Sequence, residues 1–134
     1  MSLEIEQREK EGITILDIKG RLTVGETASQ LREKLKNMAA SGVRSVVLNM
    51  KDVDYIDSTG LGTLVICYTT FQKAQGHLKL LNVSRRNIEL LVLTKLETVF
   101  EVFADEQDAV NSFFPNREIR RFDILTFIQQ HKQE

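Results

Sequence analysis

The hydrophobic period of this chain changes on either side of residue 58, and that change constrains the fold more than any other feature. Residues 46–48, Val-Val-Leu, form a short apolar run of the kind found in a strand buried on both faces. Beyond residue 60 the apolar side chains recur at helical spacing, as Leu61, Leu64, Val65, Tyr68 and Phe71. We therefore predict a strand that leads into a helix, with Ser58 at the corner between them.

Residues 52–62, DVDYIDSTGLG, connect the predicted strand to the predicted helix and concentrate acids, hydroxyls and glycines. Small residues let another chain approach the backbone closely, and the free N–H groups of a helix start favour an anion. One capping side chain stabilises a helix start by about 1 kcal/mol. Asp57, Ser58 and Thr59 are three cap-competent residues in a row, so capping and a second role for this corner both stay open.

Strand-like and helix-like segments alternate in the first part of the chain. Residues 3–18 alternate apolar and polar side chains about a glycine-containing turn, which predicts an opening hairpin. Thr23 and Glu26 have the spacing of a capping box, and Gly42 has the position of a C-terminal cap. The helix between them has an apolar face made of Val24, Ala28, Leu31, Leu35 and Met38.

The second half of the chain repeats this alternation. The helix after the corner is expected to end at Gly76. Residues 78–83 and then 99–103 have the composition of strands, and Ser84 and Asp105 follow them as helix caps. Because helical connections between strands imply parallel pairing, we predict an α/β fold with a mostly parallel central sheet and the opening hairpin as its antiparallel edge.

Pro115 ends the alternating pattern, so we predict a domain over residues 1–115 and a C-terminal extension over residues 116–134. Apolar residues three apart among charges predict an amphipathic helix in the extension, with a face made of Ile119, Phe122, Leu125 and Ile128. This helix has no core of its own. We expect it to dock on the domain, on a second copy in a homodimer, or on another partner.

Composition excludes several function classes. The chain has 134 residues, of which 42% are hydrophobic and 28% are charged, and this composition indicates one globular domain. Its net charge of -1 gives no sign of the basic surface that binds nucleic acids. The single cysteine, Cys67, and the lack of a Cys/His array favour a reducing compartment, and we expect the cytoplasm. The apolar runs are too short to cross a bilayer, so we expect no membrane insertion.

Two catalytic or ligand-binding patterns fit these residues poorly. The nucleophile elbow Gly-x-Ser-x-Gly has Ile56 in its first glycine position. No sequence argument brings His77 or His131 against Ser58 to complete a triad. Residues 60–62 begin a dinucleotide-binding pattern, but its third glycine is missing, and the chain has no Walker run.

Asp52 and Asp54 follow an apolar strand with the spacing of the paired aspartates in phosphotransfer enzymes. A magnesium site needs further carboxylates, and few acids occupy the other predicted strand ends. A solvated acidic loop accounts for these two residues better. We expect no cofactor and no bound metal.

Residues 47–50, VLNM, and residues 53–62, VDYIDSTGLG, closely resemble the signature of STAS domains, specifically those of bacterial anti-sigma factor antagonists. The resemblance extends in order and pattern from about Leu3 to Phe113, including Gly20 before the first helix. It implies a mostly parallel central sheet with helices packed mainly on one side.

The resemblance also implies a function. Ser58 matches the serine that an anti-sigma factor with serine kinase activity phosphorylates, and a PP2C-like phosphatase reverses the modification. The unphosphorylated antagonist binds the anti-sigma factor and frees the sigma factor, so the protein would be a binding switch and not an enzyme. Thr23 stands where many antagonists have aspartate, and we expect it to keep the capping role. The implied partner-binding residues are Thr23, Asp54, Asp57, Ser58, Thr59, Gly60, Leu61 and Gly62.

Phosphorylation of Ser58 would add about -1.5 to -2 charges beside three aspartates and at a helix N-terminus. Since these effects oppose each other, we expect little refolding and a switch that acts by repulsion and desolvation in the partner interface. Asp57 would cap and orient the corner, and Thr59 would be a secondary hydroxyl. The alternative is a structural STAS scaffold in a signalling or transport assembly, in which the serine is only a cap.

Overall fold

The computed structural model describes residues 2–132, with side chains described as far as residue 129. Strands and helices alternate after an opening hairpin, as predicted. The elements are β1 (Glu4–Lys10), β2 (Ile13–Leu22), α1 (Glu26–Ala40), β3 (Ser45–Ile56), α2 (Ser58–Lys73), β4 (His77–Leu81), α3 (Arg85–Leu93), β5 (Val102–Phe103), α4 (Glu106–Asn111) and α5 (Ile124–Lys132).

The five strands form one sheet in the order β1-β2-β3-β4-β5. β1 and β2 are antiparallel, and the other neighbouring pairs are parallel. The hairpin turn needs two residues at positive φ, and Glu11 (φ 54°) and Gly12 (φ 84°) supply them. The predicted fold class, a mostly parallel sheet with an antiparallel N-terminal edge, is confirmed.

Two apolar clusters cover the two faces of the sheet. The main cluster packs the buried sides of α1, α2 and α3 against one face, through Leu31, Leu64 and Ile88 among others. A smaller cluster packs α4 against the other face through Ala109 and Val110. The prediction that helices lie mainly on one side is confirmed, and α4 is the helix on the opposite face.

β3 is longer than its apolar run indicated, and this length positions the corner. It pairs with β4 only over residues 45–49 but with β2 as far as Ile56, through two register shifts. The last part of β3 therefore projects past β4 and leads through Asp57 to Ser58, the first residue of α2. Interpreting Asp52 and Asp54 as a solvated loop was wrong, since both are exposed residues within this strand.

The predicted capping box at the start of α1 is wrong. The N-cap is Gly25, with φ 101° and no capping side chain, and Glu26 is already the first helical residue. The hydroxyl of Thr27 bonds both the N–H (3.0 Å) and the carbonyl (3.1 Å) of Thr23, so Thr23 is bound through its backbone. The turn at Gly25 also leaves Val24 outside the helix and 69% exposed, although its spacing placed it on the apolar face.

Gly76 is not the left-handed cap of α2. That conformation belongs to Gln75 (φ 62°), while the Gly76 N–H closes the helix end on the Phe71 carbonyl at 2.7 Å. A Cβ at position 76 would overlap the backbone carbonyl of Arg44, so the glycine is there for close packing. β5 is also shorter than predicted, because the segment before it turns, with Val99 N–H bonded to the Leu96 carbonyl at 3.0 Å.

The C-terminal extension contains the predicted helix, α5, which docks on the protein's own core. Phe122 precedes the helix, and its N–H donates to the Val102 carbonyl of the edge strand β5 at 3.2 Å. The helix begins only at Ile124, which is buried, so its inward face differs from the predicted one and Leu125 is 67% exposed. The division of the chain at residue 115 stays a prediction.

Candidate functional site

Asp57 organises the corner between β3 and α2. One of its carboxylate oxygens accepts the Gly60 N–H at 2.8 Å and caps α2, and the other accepts the Val24 N–H at 2.9 Å. Its own N–H donates to the Leu22 carbonyl at 3.2 Å. The Val24 and Gly60 amides hold the pKa of Asp57 below its usual range, because they stabilise the carboxylate. The structure shows the expected capping role of Asp57, and its orienting role toward Ser58 stays a prediction.

The two glycines of the corner differ in what surrounds them. A Cβ at position 60 would overlap the Leu22 carbonyl, so only glycine allows α2 to pack this closely on the end of β2. At Gly62 a Cβ would meet nothing within 4 Å, and this residue is exposed on the helix. Gly60 is therefore required by the fold, whereas Gly62 leaves a low point on the surface.

Ser58 is exposed at the first helical position, and its hydroxyl makes no hydrogen bond with any residue between 2 and 132. Because Asp57 already caps the helix, the Ser58 hydroxyl has no structural task. Thr59 is also exposed, and its carbonyl accepts the Thr63 hydroxyl at 2.9 Å. The surplus of cap-competent residues leaves two hydroxyls facing solvent at a helix N-terminus.

The structure brings most of the predicted site residues to this corner but does not expose all of them. Asp54 is exposed on β3, and Thr23 is half-buried beside the corner. Leu61 is buried in the main cluster, and Gly60 is buried against β2. These last two can influence a surface contact only by holding α2 in place.

Sequence reasoning did not single out the apolar residues around the corner. Val24, tied to Asp57, is 69% exposed, and Ile66 on the open side of α2 is 45% exposed. Ile66 departs from the apolar spacing of α2, which was a signal available in the sequence. The exposed surface of α2 thus runs from Ser58 and Gly62 to Ile66.

A basic and aromatic cluster also escaped sequence analysis. The Arg86 guanidinium lies 4.4 Å from the centre of the Tyr55 ring, and that of Arg21 lies 5.6 Å from it. The three residues come from α3, β3 and β2. No local sequence signal joins residues so far apart in the chain.

The residues considered for catalysis do not assemble here. His77 pairs with Ser45 at the start of β3, so it lies at the opposite end of the strand from Ser58. Cys67 is buried, and burial raises the pKa of its thiol to about 12, which disfavours the reactive thiolate. His131 lies outside the described side chains. Within residues 2–132, no three His, Cys, Asp or Glu side chains are arranged to hold a metal ion.

Of the helices in the described part of the chain, none is long and apolar enough to cross a membrane.

Comparison with known proteins agrees with the resemblance. The family model described as STAS domain matches residues 4–109. The chain is 34% identical over 110 residues to the anti-sigma-B factor antagonist of Bacillus subtilis (strain 168), a match that covers 82% of this chain and 99% of that protein.

Two solved structures share the fold. A candidate anti-sigma factor antagonist from Thermotoga maritima has a TM-score of 0.75 at 20% identity, covering 81% of this chain and 92% of that one. Phosphorylated SpoIIAA from Bacillus has a TM-score of 0.64 at 20% identity, covering 83% and 98%. Antagonists of this family are regulatory binding proteins, so the expectation of a protein without enzymatic activity is confirmed. The chain belongs to the STAS domain family.

Proposed function

We propose that this protein is an anti-sigma factor antagonist whose unphosphorylated form binds an anti-sigma factor with serine kinase activity and releases a sigma factor. Its similarity to the Bacillus subtilis antagonist supports this assignment. The phosphorylation step is supported mainly by the surroundings of Ser58: its side chain is exposed and makes no hydrogen bond with the described residues, while Asp57 caps the helix. A kinase could modify this hydroxyl without breaking any contact of the fold.

The partner surface in this proposal centres on the N-terminal half of α2. Ser58, Thr59 and Gly62 are exposed there, and Ile66 and Val24 add apolar area beside them. Aliphatic contacts around small residues suit a partner that approaches the helix closely. Asp54 is exposed on β3 four residues before Ser58, Thr23 is half-buried next to Val24, and Gly60 and Leu61 keep α2 in position.

Phosphorylation would act on this surface directly. A phosphate at Ser58 adds about -1.5 to -2 charges where no fold contact depends on the hydroxyl, so the backbone has no reason to move. Burying that dianion in an interface requires its desolvation, and Asp54 and Asp57 add like charge nearby. Weaker binding of the phosphorylated form follows. A PP2C-like phosphatase working in the cytoplasm would restore the binding form.

Calorimetric titration against the anti-sigma factor from the same genome tests this function. Ser58→Ala should retain the affinity of the unphosphorylated protein, and Ser58→Asp should lose at least about tenfold, since interfacial like charge costs more than 1.4 kcal/mol. Thr98→Asp is the matched control, because it adds the same charge at an exposed position before β5. Equal affinities for Ser58→Ala and Ser58→Asp would contradict the switch and favour the structural scaffold, in which Ser58 is passive.

A further inference from the structure

Tyr55 stands three residues before Ser58, at the projecting end of β3, and two arginine guanidinium groups lie over its ring. Arg21 pairs with Tyr55 in the register of β2 and β3. Arg86 reaches the ring from the first turn of α3. Two guanidinium groups therefore converge on one half-buried aromatic side chain, three residues before Ser58.

Neither of these guanidinium groups forms an ion pair or a side-chain hydrogen bond with any residue in the described part of the chain. Acids are nearby in the fold: Asp52 and Asp54 are exposed on β3, and Asp57 already accepts two backbone N–H groups. Two unpaired guanidinium groups present planar donor sets that match phosphate oxygens. A cation–π contact is weaker than a charge-assisted hydrogen bond to an anion. A phosphate can therefore draw such a guanidinium group away from the aromatic ring.

We propose that Arg21 and Arg86 form a phosphate-recognition site that takes the phosphoryl group of phosphorylated Ser58. This inference rests on the proposed function, because it requires phosphorylation of Ser58. The Cα atoms of Tyr55 and Ser58 are at most about 11 Å apart, since three residues separate them. The phosphoserine side chain reaching from residue 58, and an arginine side chain that leaves the Tyr55 ring, are together long enough to span this distance.

Engagement of the arginines gives phosphorylation a second effect. In the unphosphorylated protein both guanidinium groups lie over the ring of Tyr55, three residues before Ser58. When they turn to the phosphate, the surface around Tyr55 loses two free positive charges and the ring is uncovered. The modified protein then differs from the unmodified one in both charge and shape, without a change in backbone.

The test uses the full-length protein with phosphoserine incorporated at position 58 during translation, so that no kinase is required. The phosphorus NMR signal is titrated with pH in the wild-type background and in the Arg21→Gln/Arg86→Gln double variant. Nearby positive charge stabilises the dianion, so the pKa of the phosphate should rise by about one unit in the double variant. The Arg86 side-chain Nε signal should also move on phosphorylation in the wild-type background.

Arg85→Gln is the matched control, because Arg85 is a neighbouring arginine on α3 already engaged with Glu89 at 3.3 Å. It should leave the phosphate pKa unchanged. Equal phosphate pKa values in the wild-type and double-variant backgrounds would overturn the site. They would leave the proposed function untouched, because the loss of binding in Ser58→Asp is measured separately by calorimetry. Saturable movement of the Arg86 signal by inorganic phosphate in the unphosphorylated protein, with none from phosphoserine 58, would assign the arginines to a free anion and also overturn it.

Discussion

Two serines stand at equivalent places in this fold, and their surroundings differ. Ser84 is the N-cap of α3, and its hydroxyl accepts the Asn87 N–H at 3.2 Å. At the start of α2 the same task belongs to Asp57, and Ser58 follows one residue later with a hydroxyl that no residue in the described part of the chain bonds. One serine holds its helix, and the other does not.

This comparison distinguishes a serine that stabilises its helix from a serine that is available for modification. Ser84 is partly buried and precedes Asn87, whose side chain is buried near the Val53 carbonyl. Ser58 is exposed at the end of the projecting part of β3. A hydroxyl that stabilises nothing can be modified without a loss of stability, which is the property that a reversible switch needs.

The largest expected effect is on the free energy of unfolding, and it distinguishes the two glycines that follow Ser58. Gly60→Ala should lower the free energy of unfolding by about 3 kcal/mol, because its Cβ would overlap the Leu22 carbonyl. Gly62→Ala should instead raise it by about 0.5–1 kcal/mol, since an exposed helical glycine gains from the side chain. Urea denaturation of both variants measures the difference. Similar stabilities would mean that the close packing of α2 on β2 is not needed.

Gly62→Ala also sharpens the assignment of the partner surface. We expect its stability to rise while its affinity for the anti-sigma factor falls, because the added methyl group stands where the partner approaches α2. Isothermal titration calorimetry measures this affinity. A variant that is more stable and binds as well as wild type would move the interface away from Gly62.

The two serines themselves provide the next prediction. Ser84→Ala removes a cap and should lower the free energy of unfolding by about 1 kcal/mol. Ser58→Ala should change it by less than about 0.5 kcal/mol, because the hydroxyl has no partner among the described residues. Chemical denaturation of the two single variants compares them directly. Equal losses would indicate that Ser58 is a cap after all.

The smallest expected effect concerns the charge of Asp57. The Val24 and Gly60 amides lower its pKa in the folded protein, so the unfolded chain binds a proton at higher pH than the folded one. This contribution to stability is present above about pH 4, the ordinary pKa of aspartate, and is lost as the pH falls through the folded value.

Asp57→Asn keeps a cap-competent side chain but removes the charge. The melting temperature of the wild type should therefore exceed that of Asp57→Asn at neutral pH, and the gap should close in acid. Thermal melts from pH 7 down to about 3 follow the gap across the ordinary titration range of aspartate. A constant gap over that range would mean that the Asp57 carboxylate is not stabilised by the two amides.

The fold could be predicted because its strands and helices have different hydrophobic periods, and buried α/β layers keep those periods visible. The length of β3 could not, because exposed Asp52 and Asp54 and two register shifts interrupt the pattern. The start of α1 depended on the positive φ of Gly25 and on a competing hydroxyl at Thr27. Neither is apparent from the spacing of Thr23 and Glu26.

The position of the corner and a capping role for Asp57 were both expected, but the residues alone left the cap open between Asp57 and Ser58. Asp57 and Ser58 are both competent caps, so only the observed hydrogen bonds assign the cap to Asp57. The arginine contacts with Tyr55 join residues that are distant in sequence, where local patterns carry no information. These contacts depend on the tertiary packing, which a local sequence motif does not describe.

The most direct test of the central claim is the site of phosphorylation. The wild type, Ser58→Ala and Ser84→Ala are each incubated with ATP and the anti-sigma factor kinase from the same genome, and their intact masses are measured. We expect the wild type and Ser84→Ala each to gain one phosphoryl group and Ser58→Ala to gain none. Phosphorylation of Ser58→Ala at the rate of the wild type would contradict the account.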